Sequence, residues 1–173
     1  APNSAKWVAC DLAMLWEGLV VVPMYARQAP EELLVMVRDS GAALVVTATQ
    51  ALADGLAEAG SEVTACLFNE LFSGPVLDED PVERGPEDRV TIIYTSGTSG
   101  EPKGVVYRRK NVDYMLPTTT SALEAMMGND RSDHRVFHYL PLCFAGSRIV
   151  LWTCLFRGNG VMLSTDLDNL AEE

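Results

Sequence analysis

Positive charge is scarce in this chain: 13 Lys and Arg stand against 24 Asp and Glu, giving a formal net charge of −11. Nucleic acids and anionic membrane surfaces both reward clustered Lys and Arg, so this balance argues against either as a partner. Long apolar runs are lacking too. The best, Ile149–Phe156, has eight residues, far short of the roughly 18 that cross a bilayer. No transmembrane segment is expected, and the first residues do not read as a secretory leader, so a cytoplasmic location is expected. Cysteine is sparse and dispersed. Cys10, Cys66, Cys143 and Cys154 form no C-x-x-C pair and read as buried thiols in a reducing compartment, with a redox or metal role as the alternative. Aromatics make up only 8%, yet 48% of residues are hydrophobic and 21% charged, which is ordinary usage for a folded domain. The 173 residues are enough for one domain with a real core and leave little room for a second.

Helix and strand patterns alternate along the chain. Ala5 to Trp16 has helical apolar spacing, Leu19 to Met24 is an extended apolar run, and Pro30-Glu31-Glu32 opens a helix that Gly41 closes. Ala43 to Thr47 and Val63 to Phe68 read as strands around a helix from Gln50 to Ala59. This rhythm predicts an α/β fold with a mainly parallel sheet and flanking helices. Ser73 to Asp88 breaks it with Gly, Pro and six acidic residues (Asp78, Glu79, Asp80, Glu83, Glu87, Asp88). It reads as a solvated connection, or alternatively as an acidic binding arm. Pro117 predicts either a kinked helix over Asn111 to Met127 or a start near Thr118. Met126 and Met127 read as core filler. Gly146 to Phe156 then reads as an apolar helix and Gly160 to Ser164 as a strand. His134 and His138 have the i,i+4 spacing of a helical metal pair, but their surroundings read as a strand and no third ligand is apparent.

The chemistry-bearing stretch is Tyr94-Thr95-Ser96-Gly97-Thr98-Ser99-Gly100-Glu101-Pro102-Lys103-Gly104-Val105, which follows the strand-like run Arg89 to Tyr94. Gly97 and Gly100 allow close main-chain approach to an anion, Ser96, Thr98 and Ser99 add hydroxyl donors, and Lys103 adds a compact charge. This is a polyphosphate clamp by residue type, with a flexible Ser/Gly surface turn as the bland alternative. A Walker A loop needs four residues between its glycines and then Lys-Ser/Thr opening a helix, whereas Gly104 follows the lysine here. The dinucleotide G-x-G-x-x-G pattern does not match either. Arg108-Arg109-Lys110 is the one basic cluster, read as a solvated helix entrance or as added field near a nucleotide.

Those twelve residues resemble the phosphate-loop signature of the adenylate-forming superfamily, most like the long-chain fatty acyl-CoA synthetases. Trp7–Leu15 and Gly18–Tyr25 resemble that family's early helix and following strand, and Tyr139-Leu140-Pro141-Leu142 is similar to the segment leading into its acyl pocket. The family's later Y-G-x-T-E-like and ribose-binding segments, its hinge and its small lysine-bearing C-terminal domain are not in this sequence. The resemblance therefore implies that residues 1–173 are a single partial domain, an internal fragment of the large N-terminal domain, with little activity alone.

For the parent protein the resemblance implies activation of a carboxylic acid, preferably a fatty acid, to an acyl-adenylate and then a CoA thioester. ATP, Mg and CoA would be the cofactors. An acyl-AMP ligase, or a carboxylic acid reductase adenylation domain loading a carrier protein, is the alternative. A non-catalytic binding module is a reading from another class, and self-association is left open. By resemblance, Thr95, Ser96, Gly97, Thr98, Ser99, Gly100 and Lys103 hold the ATP phosphates, and Thr95 contacts magnesium. Phe144 stands where the family commonly has a His beyond the L-P-L triplet; it would wall an apolar acyl channel or simply pack in the core. The His of the family's L-T-H-x-N-like segment is also absent from Tyr107-Arg108-Arg109-Lys110-Asn111.

Overall fold

The computed structural model describes residues 2–25, 27–75, 78–95, 101–128 and 134–164. Helix α1 (Ala5–Trp16) starts at Ser4, whose Oγ accepts the Trp7 N–H at 3.1 Å and so satisfies a donor the helix itself cannot. Helix α2 (Pro30–Ser40) has Pro30 in first position and Glu31 and Glu32 in its first turn, where the helix end favours negative charge. It stops at Gly41, with φ +64°, a conformation that disfavours side chains carrying a Cβ. Strand β1 (Leu44–Thr47), helix α3 (Gln50–Glu58) and strand β2 (Thr64–Leu67) form one parallel unit, with Leu44 opposite Thr64 and Thr47 opposite Leu67. A short 3-10 turn over Phe68–Phe72 follows.

The middle of the chain is built differently. Strands β3 (Arg89–Thr95) and β4 (Lys103–Arg108) pair antiparallel as a hairpin, so a local antiparallel element sits within the α/β rhythm. Residues 90 to 93 of β3 are all buried, as expected of a strand covered on both faces, and this is why its sequence reads as a continuous run. The extended run 19–24 reaches the hairpin through Val21, which bridges Thr91 in parallel.

Helix α4 (Arg109–Met127) continues through Pro117 and begins nine residues before the start at Thr118 that the proline offered as one alternative. Pro117 removes one N–H from the ladder. Just beyond it, Thr118 Oγ1 and Thr119 Oγ1 donate to the carbonyls of Tyr114 and Met115 at 2.8 and 2.9 Å, serving carbonyls next to the interrupted turn. Strand β5 (Arg135–His138), helix α5 (Ala145–Arg157) and strand β6 (Gly160–Leu163) close the chain as a second parallel unit. Among the described residues, no helix is long and apolar enough to cross a membrane.

Two apolar clusters form the core. One packs Leu33, Leu34 and Met36 of α2 on Leu56 of α3, and the other packs Val90, Leu142, Leu151 and Trp152 together. Met126 belongs to neither: it is 82% exposed, against the expectation of core filler, because it lies on the solvent side of α4 while Glu124 and the Gly128 carbonyl at the same helix end meet Arg157 of α5. Between helix α1, β3 and α5 lies a buried ionic group. Arg148 Nη2 meets Asp11 Oδ1 at 2.5 Å, with side chains 0% and 1% exposed. Arg148 Nη1 donates to Thr91 Oγ1 at 2.5 Å, and the Thr91 hydroxyl in turn donates to the Val21 carbonyl at 2.6 Å. The guanidinium also lies 4.5 Å over the Trp152 ring, whose Nε1 donates to Asp11 Oδ2 at 3.4 Å.

A buried ion left without its partner is strongly destabilising, more so than loss of the pair as a whole. Asp11→Ala and Arg148→Ala should each lower the unfolding free energy by about 3–5 kcal/mol, and the double variant by clearly less than the sum. Urea denaturation of the four proteins measures that coupling; strictly additive losses would show that the two charges do not support one another.

Candidate functional site

The hairpin places two of the seven expected phosphate-binding residues directly across from each other: Thr95 ends β3, Lys103 begins β4, and the two are partners in the ladder. Both side chains are exposed, and neither has a side-chain hydrogen bond or ion pair with a described residue. Ser96, Gly97, Thr98, Ser99 and Gly100, the other five, lie outside the described residues.

What holds the hairpin end in place is packing against α2. The Tyr94 hydroxyl lies 2.5 Å from Asp39 Oδ2 and 3.3 Å from the Met36 carbonyl. Burial, and then the neighbouring Asp39 carboxylate, push the phenol up to about 12, so it stays a neutral donor. Gly104 is the ladder partner of Tyr94. A Cβ there would lie 2.9 Å from Ile92 Cγ2 and 3.1 Å from Tyr94 Cζ, so the glycine following the lysine is required by close approach of Ile92 and of the Tyr94 ring.

The basic cluster belongs to the other end of the hairpin. Lys110 Nζ pairs with Glu87 Oε1 at 2.7 Å, Arg109 pairs with Asp113 at 3.4 Å, and the Glu87 carbonyl accepts from Arg108. The Lys110 ammonium accordingly holds the Glu87 carboxyl below its usual value. Strand β4 separates Arg108 from Lys103 by five residue steps, about 17 Å of extended chain, whereas salt screens exposed charges over about 8 Å. The cluster fastens the acidic connection to α4 and adds little field at Thr95 and Lys103. The connection is itself tied down, with the Trp16 indole donating to the Glu79 carbonyl at 3.0 Å and Arg84 Nη2 to the Leu19 carbonyl at 2.7 Å.

Phe144 is the residue before α5 and is 47% exposed. It is therefore no core residue. Its ring lies 5.9 Å from that of Tyr25 at a tilt of 34°, an ordinary aromatic pair geometry. The segment leading to it is pinned by Asn3, whose Nδ2 donates to the Leu140 carbonyl at 2.9 Å and whose Oδ1 accepts the Leu142 N–H at 3.1 Å. Leu142 is buried in the second cluster, which fixes where the chain turns outward.

The two histidines do not form a metal pair. Residues four apart on a strand are about 13 Å apart, and His138 is buried with Nε2 2.6 Å from Ser147 Oγ, which in turn donates to the Leu140 carbonyl at 3.0 Å. No group of three metal-binding side chains occurs among the described residues. The four cysteines are free. Burial pushes the Cys143 thiol up to about 11 and raises the other three, so these thiols are poor nucleophiles.

Sequence reasoning missed the positioning residues Asn3, Asp11, Asp39 and Arg148. The readable signal was a lone charge within an apolar helix, Asp11 within Trp7–Leu15 and Arg148 within Gly146–Phe156, since such a charge needs a buried partner.

The AMP-binding enzyme family matches residues 1–172, and the chain belongs to that family. Among its relatives, the long-chain-fatty-acid–CoA ligase FadD15 of Mycobacterium bovis is 27% identical, covering 95% of this chain and 30% of that protein. The mitochondrial malonate–CoA ligase ACSF3 of Xenopus laevis is 33% identical over 82% of this chain and 25% of its own length. The chain thus spans less than a third of either curated relative. In structure it resembles the N-terminal domain of FACL13 from Mycobacterium tuberculosis, with a TM-score of 0.79, 25% identity and coverage of 96% of this chain and 43% of that one. The o-succinylbenzoate CoA synthetase of Bacillus subtilis, solved with ATP and magnesium, shares the fold with a TM-score of 0.80 at 20% identity, over 99% of this chain and 44% of that one.

Two outcomes test this geometry. Gly104→Val should lower stability by about 1–3 kcal/mol through overpacking on Tyr94, read as a lower midpoint in thermal unfolding; an unchanged midpoint would show that the ring moves aside freely. Burial lowers the His138 pKa from 6.5, so below that pH the unfolded chain binds a proton that the folded chain refuses, and stability falls as pH falls from about 6.5. His138→Gln should flatten this part of the pH–stability curve, and an unaltered slope would exclude His138 as its source.

Proposed function

We propose that the full-length enzyme activates a carboxylic acid with ATP and passes the acyl group to CoA. The observation that carries this reading is the hairpin end, where an exposed hydroxyl at Thr95 faces an exposed ammonium at Lys103 with no carboxylate of the described chain neutralising it. In the first half-reaction a carboxylate oxygen bonds to the α-phosphorus as the bond to pyrophosphate breaks; in the second, the CoA sulfur bonds to the acyl carbon as AMP leaves. The chemical task is chiefly positioning and neutralising charge.

The donor set fits polyphosphate. Lys103 would bind the β- and γ-phosphates and steady the leaving pyrophosphate, as a compact cation suits. Ser96, Thr98 and Ser99 would add hydroxyls, and the main chain at Gly97 and Gly100 would come close to the phosphate oxygens. Thr95 would give magnesium one oxygen ligand, the remainder coming from phosphate and water, as is usual for this ion. Magnesium supplies charge neutralisation on the phosphates when bound. The exposed Phe144–Tyr25 pair would wall the entrance for an apolar acyl chain, and the ligase names carried by FadD15 and ACSF3 support CoA as acceptor. A fatty acid is the preferred substrate class.

The test is acid-dependent exchange of labelled pyrophosphate into ATP by the full-length enzyme. Exchange is expected with a fatty acid, and Lys103→Ala should reduce it by about 10- to 100-fold, equivalent to roughly 1.4–2.7 kcal/mol of transition-state stabilisation. Absence of exchange across a broad panel of carboxylic acids would overturn the activity. Formation of acyl-CoA on adding CoA would separate this reading from transfer to a carrier protein.

A further inference from the structure

Strand β3 passes from burial to solvent within two residues: Val90 to Ile93 are buried, Tyr94 is partly buried and Thr95 is exposed. Tyr94 is thus the last side chain that the fold holds before Thr95. Side chains alternate along a strand, so Tyr94 and its ladder partner Gly104 share the face turned to α2, while Thr95 and Lys103 share the other. Gly104 has no side chain, and the ring comes so close that a Cβ there would stand 3.1 Å from Tyr94 Cζ and 3.3 Å from Cε1. One ring therefore bears on both strands. It also packs on the cluster of Leu33, Leu34, Met36 and Leu56, a contact that phenylalanine would keep. The hydroxyl adds direction, through a charge-assisted bond of 2.5 Å to Asp39 Oδ2.

Asp39 does nothing for its own helix. It lies in the last turn of α2, where the helix end disfavours negative charge, and among the described residues its side chain bonds only the Tyr94 hydroxyl. A residue that breaks a local rule in this way points to a task elsewhere. Its support is firm, because the neighbouring Arg38 Nη2 donates to the Gly60 carbonyl beyond α3 at 2.9 Å. We propose that Asp39 is a positioning residue for the ATP phosphates, acting through the Tyr94 hydroxyl to fix where Thr95 and Lys103 stand. This role rests on the phosphate-binding reading of Thr95 and Lys103. It matters because a misplacement of about 1 Å is enough to slow a reaction about 100-fold.

The test compares the full-length enzyme with its Tyr94→Phe, Asp39→Ala and Asp39→Asn variants and the Tyr94→Phe, Asp39→Ala double variant in two assays. One is exchange of labelled pyrophosphate into ATP with an acid that the wild-type enzyme accepts, which uses the β- and γ-phosphates. The other is thioester formation from the acyl-adenylate of the same acid and CoA, which does not. Tyr94→Phe and Asp39→Ala should each slow exchange about tenfold, and the double variant no further, because both remove one bond. Asp39→Asn keeps an acceptor for the hydroxyl and should stay within about threefold of wild type. Thioester formation should change by less than about twofold throughout, which a general loss of folded enzyme would not allow. Unaltered exchange in Tyr94→Phe, equal slowing of both assays, or multiplying losses in the double variant would each overturn the role and leave the activity standing. Wild-type enzyme that forms no labelled ATP across the acid panel overturns the activity, and this role with it.

Discussion

The guanidinium of Arg148 has no exposed surface, and the arrangement of the surrounding elements follows from the need to neutralise it there. Removing a cation from water demands a close counter-ion, and here only Nε is left without a hydrogen-bond partner. Asp11 supplies the charge from α1, Thr91 accepts from β3, and the Trp152 ring covers the remaining face. Because the Thr91 hydroxyl donates to the Val21 carbonyl, the one ion also ties the extended run to β3 at this register. Four segments from three distant parts of the chain are fixed to one another at a single point.

That register carries through to the other end of β3. Once the strand is locked through Thr91, Tyr94 reaches Asp39 of α2, Gly104 must come down on the Tyr94 ring, and Thr95 and Lys103 emerge opposite each other. The polar ends of the hairpin are thus presented from a strand buried along most of its length.

Much of this was legible locally. The caps at Ser4 and Gly41, the proline at Pro30 and the apolar spacing of α1, α3 and α5 are short-range signals, and the elements stand where those signals put them. Strand β4 was not read as a strand, because Gly104 and the preceding loop motif mask a short run whose pairing depends on β3. Pro117 left two readings of α4 open, and the one over Asn111 to Met127 comes within two residues of the observed helix, which threonine hydroxyls beside the proline and packing on α5 carry across the interruption. Exposure of Met126 and Phe144 depended on which side of their elements faces a neighbour, which composition does not encode.

By itself the sequence pointed to the family, since the order of hydroxyls, glycines and lysine from Thr95 to Lys103 is a property of a continuous segment. It also determined the α/β rhythm, through periodicities that span only a few residues. Tertiary structure decided which charges are buried, that the basic cluster serves the base of the hairpin instead of its tip, and that Thr95 and Lys103 are direct partners. Each of those depends on contacts between residues far apart in the chain, such as Asp11 with Arg148 and Asn3 with Leu142, and such contacts exist only once the elements have packed.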